Sequence, residues 1–285
     1  MKTVKLLKKC KGLIAILAIL SVITACTSEK GKSNETDKTA WENIKEKGTL
    51  KAATSGTLFP ASYHDSDSNE LTGYDVEVAK ELADRLGLKI EFTEMAFDGM
   101  LSSINSGQVD FAINDITVTD ERKEKFGFTD PYKHSVGAAI VRKSDLSGID
   151  SLEDLKGKKA AGEATTTYME VARTYGAEEV IYDNATNDQY LRDVSTGRTD
   201  IILNDYYTQT LAVSYYSDLD ITVHPTIRYN PSSASIILKK ENEDMRDAFN
   251  DALKKMKEDG TLTKLSKQFY NGADVSEEIE LEESK

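Results

Sequence analysis

Cysteine is almost missing from this chain. Of 285 residues only Cys10 and Cys26 are cysteine, both before residue 30. The remainder therefore carries no disulfide scaffold, no cysteine nucleophile and no thiolate zinc site. Histidine is scarce as well. His64, His134 and His224 lack ligand or triad spacing and read as surface or loop residues, so no metal and no cofactor is expected. There is no G-x-S-x-G elbow, no P-loop and no G-x-G-x-x-G. The serine-rich stretches SDS and PSSAS read as loops. Long apolar runs are absent: Leu13 to Ala25 spans 13 residues, short of the roughly 20 that cross a bilayer. Positive charge is in the minority. With 36 Lys and Arg against 49 Asp and Glu, the net charge of −13 excludes nucleic acid as a non-specific partner. Most of those carboxylates must be solvated, and spacing alone selects no catalytic pair.

What is present begins with a targeting segment. Lys2, Lys5, Lys8, Lys9 and Lys11 precede the apolar run, which ends Ile23-Thr24-Ala25-Cys26. The pattern of aliphatic, small, small, cysteine resembles the lipobox of bacterial lipoproteins. That resemblance implies cleavage before Cys26, whose thiol carries the lipid. An ordinary secretory signal with an incidental cysteine is the alternative. Loss of residues 1–25 removes five lysines and no acid, taking the charge from −13 to −18. Such a chain is repelled by an anionic membrane surface, so attachment would rest on the lipid alone. The following KGKSNETDKT is polar, has no periodicity and reads as a flexible tether.

Beyond residue 40 short strands alternate with helices. GTLKAATS reads as a strand. Residues 74–86 set Val76, Ala79, Leu82, Ala83 and Leu86 on one helical face, with Gly87 placed to end it. LKIEFTE and VDFAIN read as strands on either side of a short helix carrying Phe97, Leu101 and Ile104. The second half repeats the theme, and two helices near 242–258 and 262–270 close the chain around Gly260. The alternation predicts α/β architecture with largely parallel sheets. Residues 106–115, SGQVDFAIND, are echoed at 196–205 by TGRTDIILND. Each copy puts an acid, Asp115 or Asp205, at the C-terminal end of a strand, where open α/β sheets bind ligands. The length suffices for one large or two ordinary domains. The echo predicts two lobes of like construction facing one cleft.

Five segments, in order, resemble the family 3 extracellular solute-binding proteins, the receptors of polar amino-acid ABC importers. They are LTGYDVEVAKELADRLG, FDGMLSSINSGQVD, ITVTDERKEKFGFTDPY, SLEDLKGKKAA and DGTLTKLSKQFY. The resemblance runs from about residue 48 to 271. It implies a type II periplasmic-binding-protein-like α/β fold, in which two lobes, each a mixed sheet flanked by helices, are joined by two hinge strands. The implied divisions are 1–25 signal peptide, 26–43 tether, 44–134 plus 233–272 lobe one, 135–232 lobe two, and 273–285 a disordered acidic tail. It also implies a monomer on the extracellular face of a bacterial cytoplasmic membrane, lipid-anchored and of Gram-positive type. Its partners would be an amino acid and an ABC permease with its ATPase.

A free amino acid is a zwitterion, so its site must pair both a carboxylate and an ammonium after stripping their water. A guanidinium fork suits the carboxylate. In the T-x-T-x-x-R segment the resemblance assigns this to Arg122, with Thr117 giving its amide and hydroxyl, and it assigns the ammonium to Asp205. The family's S-G-T-T is Ala164, Thr165, Thr166 and Thr167 here. Thr166 and Thr167 match it, whereas Thr165 replaces the glycine. Leu58, Phe59 and Phe97 fall at side-chain wall positions, and Asp115 and Glu163 at positions that bias specificity. If both acids line the pocket, a ligand with a second cation is favoured: cystine, lysine, arginine or ornithine over glutamate. The alternative for either acid is a helix cap or a solvent-facing position. An enzyme of the cyclohexadienyl dehydratase kind is the competing function on this fold, with Glu163 as its acid.

Overall fold

The computed structural model describes residues 38–182 and 185–278. The expected signal peptide, Cys26 and most of the expected tether lie outside the described residues. Two five-stranded sheets carry the fold. Edge to edge, the first runs Lys89–Glu94, Thr49–Thr54, Phe111–Ala112, Ile237–Lys239, Phe126–Phe128. The second runs Glu178–Ile181, Lys159–Gly162, Ile201–Asp205, Lys133–Arg142, Ile221–Ala234. In each, the first three strands are parallel and the fourth runs against both neighbours. That fourth strand is always the one arriving from the other lobe. This makes the sheets mixed rather than largely parallel, and leaves two crossings, near Tyr132 and near Ser235, to join the lobes.

The sequence echo is a structural repeat. The Asp110 carboxylate accepts from the Lys51 amide at 2.8 Å, and the Asp200 carboxylate from the Lys159 amide at 2.9 Å. Each aspartate amide donates back to that lysine's carbonyl at 2.8 Å. Gly107 and Gly197, both at φ 75°, follow the helices Phe97–Ser106 and Asn187–Ser195 in a left-handed conformation that glycine adopts without a Cβ penalty.

Apolar faces cover both sides of each sheet. In lobe one, Tyr74–Arg85, Glu243–Glu258 and Thr261–Phe269 pack around Leu50, Phe111 and Leu238. Phe111 and Phe249 meet edge-on at 5.2 Å. Phe97–Ser106 closes the opposite face against Ala53 and Ile116. In lobe two, Thr167–Thr174 covers one face and Asn187–Ser195 with Tyr206–Tyr215 the other. Each fully buried large side chain contributes about 1.5–3 kcal/mol.

Both expected ends of the folded part move outwards. Residues 40–43, placed in the tether from sequence, lie in a helix, Ala40–Lys47, closed by a Thr39–Glu42 capping box. Trp41 of that helix packs against Phe249 at 6.2 Å. The expected disordered tail from 273 starts too early, because Val275 is fully buried. The Val275 amide donates to Ser266 Oγ and its carbonyl accepts from the His134 amide, both at 2.7 Å. No helix among the described residues is long and apolar enough to cross a membrane.

Candidate functional site

A cavity of about 70 Å³ lies between the lobes. Eight residues expected from sequence border it: Leu58, Phe97, Asp115, Thr117, Arg122, Glu163, Thr166 and Thr167. A wider cleft of about 870 Å³ shares Thr117, Thr167 and Tyr168 with it but has neither Arg122 nor Asp115 on its walls.

Arg122 sits in the short helix Asp120–Lys125, whose N-cap Thr119 accepts from the Arg122 amide. The side chain turns inward and is 8% exposed. Its guanidinium lies 5.2 Å from the Phe97 ring centre and donates to the Thr117 carbonyl at 2.8 Å and the Thr165 carbonyl at 2.9 Å. Burial pulls its pKa down from the ordinary value. The two carbonyls fix the fork's plane and leave its other N–H groups for an anion. Thr166 caps the helix Thr167–Thr174, accepting from the Met169 amide at 3.1 Å. The first turn of that helix borders the same cavity, so amide dipoles and a guanidinium share one wall.

Thr165 reaches across the cleft. Its hydroxyl donates to the Asp98 carboxylate while its carbonyl accepts from Arg122. Both bonds join lobe two to lobe one.

The acids are arranged differently from expectation. Asp205 does not border the cavity; it is 1% exposed, and its neighbour Asn204 takes that position. Asp205 caps the helix Tyr206–Tyr215, accepting from the Thr208 amide at 2.8 Å. It also forms an ion pair with Lys133 Nζ at 3.1 Å. The same Nζ lies 2.7 Å from Asp115 Oδ2. Asp115 stands at φ 52°, and its amide donates to the buried Asp75 carboxylate. Phe59 likewise leaves the cavity and packs on Tyr63 and Tyr215 at 4.8 and 4.9 Å. Lys133 was missed from sequence; the signal was a lone lysine heading the apolar strand of PYKHSVGAAIV. Tyr168, Tyr190 and Ser55 on the cavity wall carried no such signal. Among the described residues no His, Cys, Asp and Glu cluster is arranged to hold a metal ion.

Burial, then repulsion from Asp115, pushes the Asp75 carboxyl up to about 7. Unfolded, it would titrate near 4. Between those values only the folded state holds the proton, so this contribution to stability is full below pH 4 and falls away as pH rises to about 7. Asp75→Asn should remove that slope. Urea midpoints at pH 5 and pH 8 should show the variant gaining on the parent at the higher pH; a constant gap would refute the assignment.

Residues 50–272 match the model of the bacterial extracellular solute-binding proteins, family 3. The chain belongs to that family. YckB of Bacillus subtilis, named a probable ABC transporter extracellular-binding protein, is 61% identical over 255 residues, covering 89% of this chain and 88% of YckB. Its crystal structure has a TM-score of 0.69 and 64% identity, covering 86% and 98% of the two chains. The L-cystine-binding protein TcyA of the same organism is 39% identical over 250 residues, 87% of this chain and 90% of TcyA. An amino-acid substrate-binding protein of Streptococcus pneumoniae, AbpA, was solved with L-arginine bound. It has a TM-score of 0.74, 28% identity and coverage of 81% and 98%. The solute-binding protein described here has the two-lobed architecture of these neighbours.

Proposed function

We propose that this protein captures a free α-amino acid between its lobes and hands it to an ABC permease driven by an ATPase, performing no chemistry on it. The carrying observation is that one interlobe cavity is bordered both by Arg122 with a helix N-terminus and by Asp115. A carboxylate fits the first and an ammonium the second. Contacts from both lobes to one ligand would favour the closed form. Asp115 and Asp205 share the single lysine Lys133, and Asp75, its carboxyl raised to about 7, lies beside them, so at least one negative charge is left for the ligand's ammonium. A glutamate side chain would add a carboxylate to this neighbourhood, whereas cystine or a basic amino acid brings a second cation. TcyA is named for L-cystine, and AbpA holds L-arginine, in line with that preference. Anchoring through a lipid on Cys26, on the outer face of a Gram-positive cytoplasmic membrane, belongs to the same reading, as does a monomeric state.

Thermal-shift screening of the purified protein against the amino acids and cystine tests it, since a ligand bound only by the folded state raises the melting temperature. Cystine or a basic amino acid should give the largest rise. Absence of any rise across the panel would reject the reading.

A further inference from the structure

The residue that links the two acids was not among those assigned to the ligand. Lys133 heads the strand by which the chain first enters lobe two, and it is fully buried. Its Nζ lies 2.7 Å from Asp115 of lobe one and 3.1 Å from Asp205 of lobe two. It also donates to Thr208 Oγ1 at 3.3 Å and stands 5.2 Å from the Tyr270 ring centre. A buried ammonium is costly unless it is paired and hydrogen-bonded, and this one is both. Asp115 borders the cavity and Asp205 lies behind it. The lysine therefore occupies the acid pair from the side away from the ligand.

We propose that Lys133 is a specificity-determining residue: a tethered ammonium between Asp115 and Asp205 that sets how much positive charge the ligand must bring. The inference rests on the amino-acid reading above. With Lys133 in place, two carboxylates share one cation and a single ammonium completes the balance. Without its charge the carboxylates repel one another across the lobes, and a ligand with a cationic side chain gains most by relieving them. Neutralising Asp205 instead leaves Lys133 balanced by Asp115 alone, and the demand for ligand charge falls.

Calorimetric titration with arginine and glutamine, which share the α-amino acid end and differ in side-chain charge, reads this directly. Lys133→Met should raise the arginine-to-glutamine affinity ratio roughly tenfold. Asp205→Asn should lower it by about as much, and the charge-balanced double variant should return to the parent ratio. The opposite signs and the return in the double variant are effects that a purely structural lysine would not produce. Should Lys133→Met fail to fold, Asp205→Asn and the double variant carry the test. Ratios within twofold of the parent in the folded variants would overturn the inference while leaving the amino-acid reading intact. A parent protein that binds neither these probes nor cystine would overturn both.

Discussion

Arg122→Ala is expected to weaken amino-acid binding roughly thirtyfold or more, and to erase the ligand-induced rise in melting temperature. Truncating one partner of a buried, hydrogen-bonded charge pair leaves the other charge desolvated and alone, which costs about 2–5 kcal/mol. The guanidinium is held ready for that partner. It is buried to 8% exposure, packed near Phe97, and oriented by carbonyls from both lobes. Arg122→Lys should recover little, because an ammonium cannot present two parallel N–H bonds and would lose the Thr117 and Thr165 anchors together. A cooperative melt in the ligand-free variant, alongside a lost titration signal, would locate the effect in the site rather than in folding. Retention of full-sized binding would remove Arg122 from it.

Gly73→Ala is expected to be strongly destabilising, costing about 3 kcal/mol or more. Gly73 precedes the helix Tyr74–Arg85 at φ 123°, a conformation that residues with a Cβ rarely adopt. An added Cβ would stand 2.3 Å from the Ala61 carbonyl oxygen and 2.8 Å from that of Pro60. Neither can retreat, since the Pro60 and Ala61 carbonyls accept the Tyr74 and Asp75 amides at 3.0 Å. Those residues brace the site from below. The Tyr74 hydroxyl donates to the Tyr132 carbonyl beside Lys133 at 2.8 Å, and Asp75 holds the Asp115 amide. Ligand affinity should therefore fall along with stability. At about 2–4 °C per kcal/mol for a chain of this size, the melting temperature should drop by roughly 6–12 °C. Gly87→Ala is the comparison: φ is 69° but nothing lies within 4 Å of the added Cβ, so only the cost of about 1 kcal/mol for a left-handed alanine remains. Equal losses at the two glycines would refute the steric argument.

How much of this was legible beforehand differs from residue to residue. The helix Tyr74–Arg85 and the repeated Gly-x-x-Asp segments are local patterns, and local patterns survive into the fold. The Arg122 segment was legible by resemblance, and the structure places that arginine on the cavity. Asp205 shows what local reading misses. Ile202, Leu203 and Asn204 all border the cavity, whereas Asp205, one residue further on, caps the following helix and turns back to Lys133. The lysine's role depends on positions 115, 133 and 205 being brought together by the strand crossings, and no window of sequence contains all three. Val275 and Trp41 were passed over for a related reason. A single apolar residue among polar neighbours has no periodicity, and its burial is decided by the surface it meets.

In the proposed binding mode a ligand's carboxylate pairs with Arg122 while its ammonium meets the acids around Lys133. Calorimetry of the purified protein with arginine, cystine, glutamate and agmatine, which is arginine without its carboxylate, tests it most directly. Arginine or cystine should bind at least about tenfold more tightly than glutamate, and agmatine should give no measurable heat of binding. Glutamate as the tightest ligand, or agmatine equal to arginine, would contradict it.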